Sequence, residues 1–357
     1  MAALSHLSLS AFPEGPRTKP PLITVVVPTL NEAWCIKQTI ASILGQHTEG
    51  FELEILIIDG GSTDDTRKIV SDIAAENKQV RLLTNEKKST PSALNIGLRE
   101  AKGEYFCTFG AHTHYAKNYI TICLRELIGR GAVACGGRVV TRPANHSLQA
   151  RLVAWALAHP FGSSTRSFRT QREGFGDIVN YPVIVKQALI DAGGYDEALV
   201  RNEDNDMSQK LRAAGHKLFC TWKTECEYFP VASLKSLCRY GFRNGFWNAV
   251  SFKGNPASMT VRYFIPLVFV ATLISLVSLS VGSSMAGSSH KMIFVASTTF
   301  LVFVYLAFAS LAAFHLAARY RSVDPLLLPL VFFTFHCAYG TGTLYGFLSN
   351  AKPASVR

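Results

Sequence analysis

The chain has 357 residues, 48% of them hydrophobic, and a formal net charge of +11. No basic helix interleaved with base-stacking aromatics accompanies this charge, so we expect no nucleic-acid partner. The apolar residues are concentrated after Tyr263, which excludes an ordinary, evenly mixed soluble domain for that part of the chain. The eight cysteines show no paired CxxC spacing, and they predict reduced, mostly buried thiols instead of a zinc site or a disulfide framework.

The first part of the chain alternates strands with helices. Residues 1–20 have no basic flank before an apolar run, so we expect a flexible tail and no cleaved signal peptide. Such alternation predicts right-handed crossovers and a parallel sheet covered by helices on both faces. The predicted strands are 22–27, 54–58, 80–84 and 105–109, and the predicted helices run to about 44, through 75 and over 91–99.

The fourth predicted strand runs directly into a polar turn, in the stretch 105–115. Open α/β sheets bind ligands beyond the carboxyl ends of their strands, so we expect chemistry at this junction. His112 and His114 lie in that turn, and an ordinary pair of polar loop residues is the alternative.

The second predicted strand ends in a glycine-rich acidic loop. There Asp59 can accept hydrogen bonds from a base or a ribose, while Gly60 and Gly61 permit close backbone approach. Ser62 or Asp64 can cap the helix that follows. A helix cap with a tight turn, and no ligand at all, explains the same residues. The chain has neither GxGxxG after a strand nor GxxxxGK[ST], so neither a dinucleotide fold nor a P-loop is indicated.

Three apolar stretches near the end of the chain contain no Asp, Glu, Lys or Arg: 263–283, 292–318 and 326–348. Each is near or above the ~20 residues that cross a bilayer, and together they predict three membrane helices. Residues 233–262, rich in cations and aromatics, predict an interfacial amphipathic region. Basic residues before the first span and between the second and third predict that the preceding domain is cytoplasmic.

Several motifs together resemble glycosyltransferase family 2, which has a GT-A fold. They are VPTLNE (27–32), IDGGSTDDT (58–66), SALNIGL (92–98), GGYDE (193–197) and RNEDND (201–206). The nearest group is the succinoglycan-type exopolysaccharide glycosyltransferases, whose members also end in membrane helices. The resemblance implies an α/β fold with a GT-A domain at 21–232, three transmembrane helices within 263–348 and a C-terminal tail at 349–357.

The resemblance also implies which residues contact the substrates. For the nucleotide sugar these are Pro28, Thr29, Asn31, Glu32, Asp59, Asn95, Gly110 and Ala111. Glu32 binds the ribose or caps its helix, and Asn95 supports the pocket or is structural; the sequence leaves both open. Arg239 and Arg243 are expected to meet an acceptor diphosphate, and an ordinary amphipathic anchor is the alternative.

The chemistry that the family implies is an inverting displacement at the anomeric carbon of the donor sugar. A carboxylate must take the proton from the attacking hydroxyl, and the Glu203–Asp204 pair stands at the family's position for this base, with Asp204 as the base itself. A solvated helix start, in which acidic residues are favoured by the helix dipole, is the alternative.

One position departs from the family. Members carry Asp-x-Asp, or Asp-Ala-His in the nearest group, where this chain has Gly110, Ala111 and His112. His112 is the expected ligand of a divalent cation, Mn or Mg, but Gly110 supplies no carboxylate. The alternatives are a softer ion on His112, a water in the gap, compensation by Asp64 or Asp65, and impaired donor turnover.

The expected function is transfer of a hexose from a nucleotide diphosphate sugar, with UDP expected, to a lipid-linked saccharide acceptor in exopolysaccharide or cell-surface polysaccharide synthesis. The expected location is the bacterial inner membrane, with the catalytic domain in the cytoplasm and other polysaccharide-assembly proteins as partners. The alternatives are a polyprenyl-phosphate glycosyltransferase and a catalytically impaired nucleotide-sugar-binding scaffold, and Gly110 is the feature that favours the scaffold.

Overall fold

The computed structural model describes residues 19–165, 167–199, 202–254, 256 and 261–351. Apart from its last two residues, the predicted N-terminal tail lies outside these residues, as does most of the predicted C-terminal tail. The described chain divides into two units, one of residues 19–140 and 171–228 and one of residues 141–170 and 229–351. The boundary at residue 232 stays a prediction, and the second unit also includes the segment 141–170.

The first unit contains the predicted parallel strands. In the described residues they stand in the order β3-β2-β1-β4 and all three neighbouring pairs are parallel, which confirms the predicted fold class. Their bounds are β1 (Leu22–Thr29), β2 (Glu52–Asp59), β3 (Val80–Thr84) and β4 (Tyr105–Thr108). The register places Thr29 opposite Asp59, so the carboxyl ends of β1 and β2 are level.

Three helices connect these strands, and their starts follow from local sequence. They are α1 (Ile36–Leu44), α2 (Thr66–Glu76) and α3 (Thr90–Glu100). Ser89 caps α3 by accepting from the Ser92 N–H, and a proline stands in the first turn, where its missing N–H costs nothing. Gly97 on α3 lies against Val26 of β1, and a Cβ there would approach the valine Cγ1 to 2.5 Å, so only hydrogen fits.

The other half of the sheet is antiparallel, and the sequence analysis did not predict it. β8 pairs antiparallel with β4 and β6, while β5 and β7 pair antiparallel with β9. These strands are β5 (Thr113–Tyr115), β6 (Ala134–Thr141), β7 (Gly174–Phe175), β8 (Val183–Val185) and β9 (Leu218–Tyr228). β5, β7 and β8 have only two or three residues, too few for a period-2 pattern to be visible. The helices of this half are α4 (Tyr119–Arg130), α7 (Lys186–Asp191) and α8 (Glu203–Ala213).

The second unit contains the membrane-type helices. Three segments are long and apolar enough to span a bilayer: Val261–Met285, Lys291–Tyr320 and Asp324–Leu348, with mean hydropathies of 2.4, 2.2 and 1.3. They match the three predicted spans. The helices of this unit are α5 (Leu148–Ala158), α6 (Pro160–Ser163), α9 (Leu234–Gly254), α10 (Ile265–Met285), α11 (Lys291–Tyr320) and α12 (Leu328–Leu348).

All eight thiols lie in described parts of the chain and are unpaired, and six of them are buried. Burial raises the pKa of Cys220 to about 12, so this thiol stays protonated at neutral pH. The cysteines of the first unit therefore pack as small apolar side chains.

Candidate active site

The loops after β1 and β2 are bonded to each other at the carboxyl end of the sheet. Asn31 adopts a left-handed conformation with φ 56°. Its N–H donates to Ser62 Oγ at 2.8 Å and its Oδ1 accepts from the Thr63 N–H at 2.8 Å. Asp64 accepts from the N–H of Ala33 at 3.1 Å. Asn31 and Asp64 therefore fix the loop, and Asp64 would have to leave it to compensate for Gly110.

Asp59 lies at the end of β2 with a fully buried side chain. It accepts from the Gly61 N–H at 2.9 Å, from Ser62 Oγ at 2.5 Å and from Arg67 Nη1 at 2.7 Å. Burial alone would raise the pKa of Asp59, but the hydrogen bonds from Ser62 and Arg67 outweigh it and hold the pKa below its usual range. The carboxylate is thus ionised and bound within its own loop and by Arg67. The N-cap of α2 is Asp65, whose side chain makes no capping hydrogen bond, instead of the predicted Ser62 or Asp64.

Pro28 and Thr29 end β1 beside this loop, and Thr29 is buried. The Thr29 carbonyl accepts from the Gly60 N–H at 2.9 Å, while its own hydroxyl donates to the Val27 carbonyl at 3.1 Å. The hydrogen bonds of Thr29 therefore hold the backbone at this edge of the sheet.

Asn95 lies on α3 and bonds to the segment that precedes α8. Its Nδ2 donates to the Tyr195 carbonyl at 2.8 Å and to Glu197 Oε1 at 3.0 Å, and its Oδ1 accepts from the Tyr195 N–H at 2.9 Å. Gly194, with φ +71°, supplies the left-handed turn there. Asn95 thus ties the two halves of the first unit together, as the structural interpretation of this residue expects.

The Gly110–His112 turn follows β4 and faces the loop after β1. The Gly110 N–H donates to Tyr115 Oη at 2.8 Å, and the Ala111 carbonyl accepts from Thr39 Oγ1 at 2.7 Å. His112 Nδ1 lies 3.3 Å from Glu32 Oε1. His114, expected in the turn, instead lies in β5 opposite Glu227 of β9, because the antiparallel pairing extends to this position.

Glu32 and His112 are the residues here that could hold a divalent cation. In the described residues no group of three His, Cys, Asp or Glu side chains could hold a metal ion. One imidazole and one carboxylate fit only a cation that takes its remaining ligands from the donor diphosphate, as Mg²⁺ commonly does at phosphate sites. A side chain at position 110 would be crowded, since a Cβ there would lie 2.9 Å from Thr113 Oγ1 and 3.0 Å from Tyr181 Cε1.

Glu203 and Asp204 form the first turn of α8, where the positive end of the helix dipole favours ionised carboxylates. Asn180 Nδ2 donates to Asp204 Oδ2 at 3.2 Å, and the Asn205 N–H donates to Oδ1 at 2.8 Å. Burial raises the pKa of Tyr195, and the nearby charges of Glu203 and Asp204 raise it further, so this phenol stays neutral. Asp204 is half-buried and both of its oxygens are oriented by hydrogen bonds, an arrangement that suits a proton acceptor.

Arg239 and Arg243 lie on α9 and are exposed, in the second unit. Their spacing of four residues puts both guanidinium groups on one side of the helix. Two arginines so placed can bind an anionic headgroup.

Sequence reasoning missed Arg67, Asn180 and Tyr181. Arg67 looked like an ordinary surface residue of α2, and only the fold brings it to Asp59. Asn180 and Tyr181 precede Pro182, and this Asn-Tyr-Pro sequence marks a turn and was the one available signal.

The chain is similar to several known proteins. The profile of the family described as "Glycosyl transferase family 2" matches residues 24–189. The succinoglycan biosynthesis protein ExoA of Rhizobium meliloti is 29% identical over 246 residues, which are 68% of this chain and 74% of that protein. A Methanococcus voltae enzyme is 23% identical over 92% of this chain and 98% of its own length. It is named a dolichyl N-acetyl-alpha-D-glucosaminyl phosphate 3-beta-D-2,3-diacetamido-2,3-dideoxy-beta-D-glucuronosyltransferase.

A solved structure shares the fold. The mannosyltransferase PcManGT of Pyrobaculum calidifontis, solved in complex with GDP-Man and Mn²⁺, superposes with a TM-score of 0.56 at 19% identity. The match covers 90% of this chain and 88% of that one. Together these matches confirm the resemblance that the sequence motifs predict.

Proposed function

Residues 24–189 belong to glycosyltransferase family 2 and the protein is a glycosyltransferase, and from this premise we propose its reaction. It transfers a hexose, with inversion, from a nucleotide diphosphate sugar, with UDP as the nucleotide, to a lipid-linked acceptor. The product belongs to an exopolysaccharide or another cell-surface polysaccharide. The relative from Rhizobium meliloti, named for succinoglycan biosynthesis, supports the polysaccharide, and the relative from Methanococcus voltae, named for a dolichyl phosphate saccharide, supports the lipid-linked acceptor.

The observation that carries the proposal is the oriented carboxylate of Asp204. Inversion requires a single displacement, in which the acceptor hydroxyl attacks the anomeric carbon while a base removes its proton. Asp204 can accept that proton because Asn180 and the Asn205 N–H fix its two oxygens, and the start of α8 favours its ionised form. Glu203 precedes it in the same turn and adds negative charge near an oxocarbenium-like centre.

The donor is expected at the carboxyl end of β1, β2 and β4. Backbone groups of Gly60, Gly61 and the Gly110–Ala111 turn line this edge and allow a nucleotide to approach closely. A divalent cation, Mn or Mg, would be held by His112 and Glu32 and would stabilise the charge of the leaving diphosphate. Asp59 shapes this edge through its loop.

The acceptor is expected to come from the membrane. α10 and α11 are long, apolar and exposed along most of their length, so they fit lipid. Arg239 and Arg243 are placed on one side of α9 and suit a lipid-linked diphosphate. We propose the bacterial inner membrane, with the catalytic unit on the cytoplasmic side, from the distribution of basic residues around the spans.

A donor screen tests this function. Purified full-length protein in detergent is incubated with nucleotide sugars, manganese and native lipid extract, and the product is followed by mass spectrometry. Asp204→Asn should lower kcat by at least ~100-fold, because a neutral amide cannot accept the proton, while the Kd for UDP stays within about twofold. Asp191→Asn is the matched control, because Asp191 is exposed at the end of α7, and this variant should turn over like wild type.

The screen also separates the alternatives. Wild type that binds UDP without turning over any donor would refute the enzyme proposal in favour of a scaffold. Transfer to polyprenyl phosphate itself, instead of a lipid-linked saccharide, would show a polyprenyl-phosphate glycosyltransferase.

A further inference from the structure

The connection between β7 and β8 contains a backbone outlier that the function proposed above does not use. Tyr181 has a φ of 51°, in the left-handed region. Its bulky side chain and the following Pro182 both disfavour that conformation. Residues held in such conformations cluster at functional sites, where the surrounding structure must hold them against the strain.

Helix α4 and strand β6 hold this backbone in place. The Tyr119 hydroxyl accepts from the Gly137 N–H at 2.9 Å and donates to the Tyr181 carbonyl at 3.0 Å. A Cβ at Gly136 would lie 2.6 Å from the Asn180 carbonyl oxygen, so glycine is what lets this backbone lie against β6. A buried tyrosine and two adjacent glycines therefore fix the segment from both sides.

The side chain of Asn180 points to the proposed base. Its Nδ2 donates to Asp204 Oδ2 at 3.2 Å. Its Oδ1 is buried and has no hydrogen-bond partner within the described part of the chain. An amide that leaves one buried atom unsatisfied is a poor choice for stability alone. The hydrogen bond to the Asp204 carboxylate explains why an asparagine occupies this position.

The side chain of Tyr181 points to the position where this chain departs from its family. A Cβ built on Gly110 would lie 3.0 Å from Tyr181 Cε1, 3.4 Å from its hydroxyl oxygen and 2.9 Å from Thr113 Oγ1. The tyrosine ring thus lies where a side chain at position 110 would begin. Gly110 and Tyr181 are complementary in shape, so the glycine has a packing partner of its own.

We propose that Asn180 and Tyr181 form one positioning element of the transfer site. Asn180 orients the Asp204 carboxylate, and the Tyr181 ring packs over Gly110, against the position where a side chain there would begin. The inference rests on the proposed function for the role of Asp204. On this inference Gly110 is needed for packing against Tyr181. The absence of a carboxylate at position 110 then no longer argues for a scaffold without catalysis.

The pairing of Gly110 with Tyr181 is tested by thermal unfolding of the full-length protein in detergent. Gly110→Ala should lower Tm by about 4 °C, because the new methyl group meets the ring and Thr113. In a Tyr181→Gly background the same substitution should lower Tm by less, because the ring is gone and only the contact with Thr113 remains. Equal shifts in the two backgrounds would overturn the pairing.

The role of Asn180 is tested by kinetics. Asn180→Ala should lower kcat about tenfold and leave the donor KM unchanged, because only the orientation of the base is lost. Asn77→Ala is the matched control, because the Asn77 side-chain amide also donates one hydrogen bond, to the Ile73 carbonyl at the end of α2. On an Asp204→Asn background, Asn180→Ala should cause no further loss of the residual rate.

The outcomes are distinguishable from those for the function itself. A raised KM with unchanged kcat, or full additivity with Asp204→Asn, would refute positioning by Asn180. Wild type without any turnover would refute the proposed function and the Asn180 role together. The Tm comparison requires no turnover, so it decides the Gly110 and Tyr181 pairing independently.

Discussion

At the scale of single residues, two carboxylates of the candidate site, Asp59 and Asp204, differ in burial and in hydrogen bonding. Asp59 is fully buried and bound by its own loop and by Arg67, so its charge is used to build the carboxyl end of β2. Asp204 is half-buried at a helix start, with Asn180 bonded to one of its oxygens and the Asn205 N–H to the other. The two acids have the same chemistry, and their different surroundings are why we propose only Asp204 as the base.

The first prediction at this scale concerns pH. The pKa of Asp59 is lowered in the folded protein, so its ionisation contributes stability that is present above the unfolded pKa, about 3.9, and is lost as pH falls through the folded value. Arg67→Ala removes one of the hydrogen bonds that lower this pKa. The variant should therefore unfold at a lower Tm than wild type at pH 7, and the difference should shrink toward pH 3.5.

Thermal unfolding at several pH values measures this difference, with Lys68→Ala, an exposed neighbour on the same helix, as the control. A difference that stays constant from pH 7 to 3.5 would mean that Arg67 stabilises the protein by packing and not through the Asp59 charge.

At the scale of elements, the contact between α9 and α12 shows how the second unit is built. Gly241 and Gly245 of α9 lie against Phe335 and Thr343 of α12, and a Cβ at Gly245 would approach Thr343 Oγ1 to 2.7 Å. Glycines spaced by four residues allow two helix backbones to approach closely, as in membrane proteins. Within the predicted interfacial region, the helix over 234–254 packs against α12, because Gly241 and Gly245 are among its buried residues.

The prediction at this scale is that Gly245→Leu disrupts the α9–α12 contact. The added side chain has no space, and we expect a loss of about 3 kcal/mol in unfolding free energy, seen as a lower Tm in detergent. Gly282→Leu on α10 is the matched control, because nothing lies within 4 Å of the Cβ there. Similar Tm values for the two variants would show that the helices separate without cost.

At the scale of the whole molecule, the chain combines a glycosyltransferase unit with three candidate membrane spans. In each of the first two spans only 6% of the apolar stretch of 18 residues is buried within the protein, whereas in the third span 39% is buried. A water-soluble protein would not leave such surfaces exposed, whereas lipid covers them at no cost. α12 differs because α9 packs along it.

The prediction at this scale is integral membrane association. After alkaline carbonate extraction of membranes, the full-length chain should stay in the pellet, because three apolar helices are not released by high pH. Release of the full-length chain would contradict the spanning assignment.

A reporter inserted at Gly287, in the turn between the first two spans, should lie on the side opposite the catalytic unit.

The sequence by itself determined the four parallel strands, the residues at their carboxyl ends and the three spans. Each is encoded locally, by a β-branched run such as 22–27 or by a long apolar stretch, so neighbours along the chain suffice to predict it. The tertiary structure alone decided the antiparallel half of the sheet and the contacts of Asn180 with Asp204 and of Tyr181 with Gly110. These contacts join residues 24 and 71 positions apart, and no local pattern marks such a pair. The sequence shows only that position 110 lacks a carboxylate. The fold shows in addition that the Tyr181 ring packs over the glycine.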